Sequence, residues 1–231
     1  MIVEPIAVEL SGVPDTLLRN LGRRAAATRI GALEDPVANG VVDRLHYDFA
    51  NFARGSRLHA VRVGTFDEAV RRFLGAYPAG TVVALGEGLE TQFDGEAPWS
   101  RAGPRSATAP DRCPPARTQV YGLIAGIAER LPGSLLVFDV VPEAMLDMVR
   151  RTSGRKRDLA VELWTWLFNP RERAAISAIP GVEELRDLAP PLKRDIASLG
   201  IAAIARLPQR MRYSLPVVHV LQAGFRTVSV H

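Results

Sequence analysis

Apolar positions in the first third of the chain recur with the three-and-four spacing of amphipathic helices. In DTLLRNLGRRAAATRI, which follows Pro14, Leu17, Leu18, Leu21 and Ala25 fall on one face, and Asp15 is placed to cap the first turn. A second, short helix is predicted from Asp35-Pro36, because proline suits a first helical position and Val37, Val41 and Val42 share a face. Leu58 to Tyr77, LHAVRVGTFDEAVRRFLGAY, predicts a longer helix with the stripe Val61, Phe66, Val70, Phe73 and Leu74, interrupted at Gly64. The pattern changes at Thr81. In TVVALGEGLETQFDG the residues Val82 to Leu85 are apolar without alternation, as in a strand covered on both faces of a parallel sheet. Gly86 and Gly88 follow, where a missing Cβ lets the backbone turn sharply and approach a ligand closely. The carboxyl end of such a strand is where open α/β sheets bind ligands.

Further along, QVYGLIAGIAERLPG predicts a helix with Val120, Leu123, Ile124, Ile127 and Leu131 on one side, stopped by Pro132-Gly133. SLLVFDVVP then reads as a second buried strand, Leu135 to Val141. The order strand, helix, strand predicts a parallel sheet with right-handed crossovers. Helices are expected at Asp158 to Phe168 and Val182 to Leu188, and a late strand around Val217 to Gln222 at the sheet edge. Between these blocks, SRAGPRSATAPDRCPPART (100–118) is rich in proline, arginine, alanine and serine and has almost nothing apolar larger than alanine. Such a segment buries too little surface to offset its ordering entropy, which predicts a linker. The expected organisation is an N-terminal helical cap, 1–78, leading into an α/β core, 79–231, that contains the linker.

Composition narrows the function classes. No apolar run reaches the ~20 residues of a membrane-spanning helix, and MIVEPIAVELSGVP lacks the basic start of a signal peptide, so a cytoplasmic protein without a membrane partner is expected. Cys113 is the single cysteine, in keeping with a reducing compartment. The formal charge of +4 comes mostly from arginine, but RRTSGRKR at 150–157 is the one dense cluster and no aromatic residues interleave with it. A solvated helix end accounts for that cluster better than a nucleic-acid surface. The histidines are scattered, with no close pair or cysteine cluster to suggest a metal site.

Four blocks, in order, carry a resemblance. DPVANGVVDRLHYDF (35–49), HAVRVGTFDEAVRRFL (59–74), VVALGEGLETQFD (82–94) and ERLPGSLLVFDVVPEAM (129–145) resemble the leucine carboxyl methyltransferase family. Within it they are most like the bacterial polyketide O-methyltransferases of the tetracenomycin type. The resemblance implies a Rossmann-like, class I fold with an N-terminal helical cap, S-adenosylmethionine as cofactor, and methyl transfer to a carboxylate or phenol of a small polyketide-like molecule. Residue by residue, it implies that Gly86, Glu87, Gly88 and Leu89 line the methionine and ribose portion of the cofactor. It also implies that Arg62 grips the methionine carboxylate, a task suited to the planar guanidinium fork. From the residues alone, Arg62 reads as a surface helix arginine.

The chain departs from the family after Trp99. The family's next strand, ending in the acid that binds the ribose, and the central strands beyond it have no counterpart before matching resumes near Gln119, as if by an internal deletion. Two function classes therefore stand side by side: the methyltransferase, and a degenerate non-catalytic relative that serves as a binding or dimerisation protein, with a second copy as partner, or is a remnant. A phenol acceptor calls for a base, and His46, His59 and His219 are available, but none is assigned a catalytic role.

Overall fold

The computed structural model describes residues 6–7, 13–50, 56–85, 117–152, 166–191 and 196–227, distributed over two units, Met1–Arg112 and Cys113–His231. In the first unit the order is β1 (Ile6–Ala7), α1 (Val13–Arg29), α2 (Pro36–Val42), β2 (Leu45–His46) and α3 (Ser56–Ala76). Helix α1 packs on both α2 and α3. Leu21, Ala25, Ala38 and Val42 form the seam between α1 and α2, and Val41, Leu45 and Phe49 close its side. The helical expectations hold for all three, while β1 and β2 add a short parallel pair, Ile6 with Leu45 and Ala7 with His46. Gly64 does not interrupt α3; it is buried within it.

Asp35 ties two of these helices together. One carboxylate oxygen accepts the Ala38 amide at 2.9 Å, capping α2 ahead of Pro36. The other accepts Arg24 Nε at 2.8 Å and Arg24 Nη2 at 2.7 Å, from within α1. Both side chains are almost wholly buried, at 2% and 5% exposure. Charges taken out of water in this way hold only when fully paired and hydrogen-bonded.

Val82 to Leu85 do not form the expected strand. They are irregular, with Val83 57% and Leu85 51% exposed. An apolar run becomes a buried parallel strand only with strands beside it, and among the described residues none pairs with this segment.

The second unit runs α4 (Arg117–Arg130), β3 (Leu135–Val140), α5 (Glu143–Thr152), α6 (Pro170–Ser177), β4 (Val182–Asp187), α7 (Ile196–Ala205), α8 (Gln209–Arg212) and β5 (His219–Phe225). The strand order is β3-β5-β4, and β5 is antiparallel to both neighbours. The parallel sheet predicted from the strand, helix, strand order is thus corrected: β3 and β4 do run parallel to one another, but β5 lies between them. The late strand is central rather than at the edge, and buried along nearly its whole length. Val182 to Asp187 is strand rather than helix. The sequence misleads there because a bulge between Val182 and Glu184 inserts one residue and leaves Val182 and Leu185 turned inward three apart, the spacing of a helix face. Of Asp158 to Phe168, 158–165 lies outside the described residues, and Trp166 to Phe168 is extended, with Phe168 bridged to Pro142.

Phe168, Ile176, Leu221, Val140, Ala223, Phe225, Ile124 and Tyr213 make the core between sheet and helices. Two glycines with left-handed backbone start the outer strands: Gly133 (φ 76°) ahead of β3, and Gly181 (φ 90°) ahead of β4, where a Cβ would stand 3.1 Å from that of Ala128. The described residues are mixed α/β, with eight helices and this small antiparallel sheet. No helix among them is long and apolar enough to cross a membrane.

The Arg24 and Asp35 pair predicts a sharp contrast in urea unfolding of the full chain. Arg24→Ala, which strands a buried carboxylate, is expected to lower stability by about 3–5 kcal/mol. Removing the exposed bridge from Arg29 to Asp43 by Arg29→Ala costs no more than about 1 kcal/mol. Equal effects from the two substitutions would contradict the role given to the buried pair.

Candidate functional site

Helix α3 places Arg62 and His59 one turn apart. Arg62 is half-buried and its guanidinium carbon lies 5.6 Å from the centroid of the Phe66 ring, a cation–π contact one turn further along. His59 is buried, and its Nε2 has no hydrogen-bond partner. Burial, followed by the charges of Arg62, Arg24 and Arg23, lowers its pKa from 6.5 to about 3, so the imidazole is neutral at physiological pH. Three arginines therefore act on one buried, uncharged ring. Asp35 balances Arg24 within this group.

Of the residues that the sequence assigns to the cofactor, Arg62 lies in this neighbourhood. Gly86, Glu87, Gly88 and Leu89 lie outside the described residues. Of the histidines named above, His46 is exposed on β2 and His59 is buried in α3, and His219 begins β5 in the other unit.

Two polar clusters in the second unit escape the sequence reading. At Glu172, in the first turn of α6, one carboxylate oxygen accepts Tyr121 Oη at 2.6 Å and Trp166 Nε1 at 2.7 Å, and the other meets Arg117 Nη2 at 3.1 Å. Burial alone would push this carboxyl upward, but the hydrogen bonds from Trp166 and Tyr121 and the charge of Arg117 outweigh it, and the group stays ionised below the usual range. Asn169 caps the same helix by accepting the amides of Arg171 and Glu172.

The second cluster centres on Asp187, the last residue of β4. It accepts Tyr213 Oη at 2.8 Å and meets Arg173 Nη1 at 2.9 Å and Arg212 Nη1 at 3.3 Å. Arg173 also donates to the tyrosine oxygen at 3.0 Å and to the Leu185 carbonyl. Burial and the adjacent Asp187 charge push the Tyr213 hydroxyl well above its ordinary pKa, so it stays protonated and donates. His219 stands edge-on to that ring with centroids 5.0 Å apart. Burial first, and also the charge of Arg212, lower its pKa, against the opposing pull of Asp187. Nothing in the sequence marks this cluster, because its members lie on α6, β4, α8 and its C-cap, and β5, far apart in the chain.

Compared with known proteins, the chain matches no family model and no curated protein.

The neutral state of His59 has a consequence for acid stability. A base whose folded pKa is depressed stabilises fully above its unfolded value and loses that contribution as pH falls from about 6.5 toward about 3. In urea unfolding followed from pH 7 to pH 4, the wild-type chain is expected to lose stability faster than His59→Gln. Parallel pH profiles for the two proteins would show that burial does not hold this ring neutral.

Proposed function

We propose that the chain is a cytoplasmic, Rossmann-like S-adenosylmethionine-dependent O-methyltransferase that acts on a carboxylate or phenol of a small, polyketide-like molecule. The observation that carries this reading is the neighbourhood of Arg62. The methionine end of the cofactor bears a carboxylate, and the α3 position matched to the family's carboxylate-gripping arginine sits among Arg23, Arg24 and a buried, unpartnered His59 nitrogen. A cationic group in a partly dry setting favours an anion far more than the same charges in water would. The resemblance assigns Arg62 to the carboxylate end of the cofactor, beside the unpartnered His59 Nε2, and Gly86, Glu87, Gly88 and Leu89 to the methionine and ribose portion. When bound, the cofactor would supply an activated methyl group; the work left to the chain is to hold the acceptor oxygen in line with it, and a carboxylate acceptor needs no base. The mutually parallel β3 and β4, joined through helices, are in keeping with an α/β core.

A second reading has its own observation. Residues 81–85 are irregular and half-exposed, so among the described residues no strand ladder holds the turn that would cradle the cofactor. That favours a non-catalytic relative whose role is binding or self-association with a second copy.

Titration calorimetry of the full chain with S-adenosylmethionine and its demethylated product decides between the two. Micromolar binding that weakens at least tenfold in Arg62→Ala is the expected result. An absence of heat from a chain that is folded by circular dichroism would overturn the enzyme reading and leave the second.

A further inference from the structure

A buried carboxylate in the second unit has an exposed side chain as its counter-ion. The Glu172 side chain is 10% exposed, whereas that of Arg117, which meets it, is 57% exposed. The neutral donors Tyr121 Oη and Trp166 Nε1 both go to one oxygen, Oε2, at 2.6 and 2.7 Å. The other, Oε1, faces Arg117 Nη2 at 3.1 Å. The same guanidinium directs Nε at Tyr121 Oη, 3.4 Å away, and its carbon lies 5.3 Å from the centroid of the Tyr121 ring. Arg117 thus meets a carboxylate, a hydroxyl and an aromatic face at once, the combination by which proteins recognise a guanidinium. The receiving half of this arrangement is held in place by other contacts. Glu172 is fixed in the first turn of α6, where Asn169 caps the helix. Trp166 stands edge-on to the wholly buried Phe168, and both Tyr121 and Trp166 pack against the core. Arg117, by contrast, opens α4 and is held in an ion pair open to water, of a kind that contributes little to stability.

We propose that Glu172, Tyr121 and Trp166 form a receptor for the guanidinium of a ligand, and that Arg117 is the resident side chain which the ligand displaces. The exposure of Arg117 means that its place is reached directly from solvent. A guanidinium fits better than an ammonium because the present occupant uses Nε, Nη2 and a flat face together, which a compact, strongly hydrated ammonium does not offer. The exchange is neutral in charge: one guanidinium leaves Oε1 for water as another arrives, and the buried carboxylate keeps a counter-ion throughout. Arg117, Tyr121, Trp166 and Glu172 all belong to the second unit, so the site stands apart from the cofactor assigned to Arg62.

The test follows the ¹⁵N-labelled indole N–H of Trp166 in the full chain, assigned by its loss in Trp166→Phe. In Arg117→Ala, ethylguanidinium is expected to shift that signal saturably, with ethylammonium at least about tenfold weaker. The wild-type chain is expected to need about tenfold more ethylguanidinium, because Arg117 competes for the site. Glu172→Gln on the Arg117→Ala background is expected to abolish the shift. Tyr121→Phe, which keeps the ring and loses the hydroxyl, is expected to weaken binding and serves where the glutamine variant does not fold. Tighter binding of a peptide with one arginine between glycines would identify a polypeptide as the source of the guanidinium, and equal binding a small molecule. No saturable shift in an Arg117→Ala chain that is folded by circular dichroism, equal binding of guanidinium and ammonium, affinity that survives Glu172→Gln, or a wild-type affinity equal to that of Arg117→Ala would each overturn the proposal.

Discussion

The second unit depends on the insertion of β5 between β3 and β4. It is the strand with hydrogen-bonded neighbours on both sides, and its residues from His219 to Ala223 are buried without a break. The outer strands run in the same direction, and neither bonds to the other. The polar residues at the His219 end of the sheet follow from that register and from the helices beside it. Asp187 faces Tyr213 and the two arginines because β4 pairs with β5 as it does, and His219 reaches the tyrosine edge because it opens the same strand. A one-residue slip of β5 would turn Leu221 and Ala223 out of the core and dissolve the cluster as well.

The first unit is organised around a charge rather than a strand. Asp35 serves at once as the cap of α2 and as the counter-ion of Arg24, so the start of one helix and the face of another are set by the same carboxylate. The pairing also shapes the electrostatics at Arg62. It neutralises one of the arginines that act on the uncharged His59 ring. The buried pair that holds α1 to α2 thus also contributes to the charge around His59.

The first four helices were legible in the sequence because their apolar stripes and start signals agree, whereas the helices from Glu143 onward were not read. Pro36 after Asp35, and Pro132-Gly133 after the fourth helix, are local rules that tertiary packing did not override. The strands were legible only in part. A buried strand was expected from Leu135 to Val141; a strand forms over Leu135–Val140 but only Val140 in it is fully buried, while the apolar run at Val82 to Leu85 is irregular, because whether such a segment pairs is decided by neighbours rather than by its own composition. The β4 segment hid its alternation behind a bulge. Of the candidate sites, Arg62 was visible through resemblance. The Asp187 and Glu172 clusters were not visible, because each joins residues far apart in the chain whose spacing carries no period.

The central position of β5 also bears on how the unit folds. During synthesis β3 and β4 emerge with their intervening helices and find no ladder to join, since each lacks hydrogen-bonding contact with the other. Their exposed amides and carbonyls must wait until the segment from His219 to Phe225 is released and threads between them. The sheet therefore closes late and all at once, through contacts distant in sequence that pay their loop-closure entropy before any ladder forms. In that interval β3 and β4 each lack a ladder partner among the described residues, the condition in which open strand edges favour misassociation.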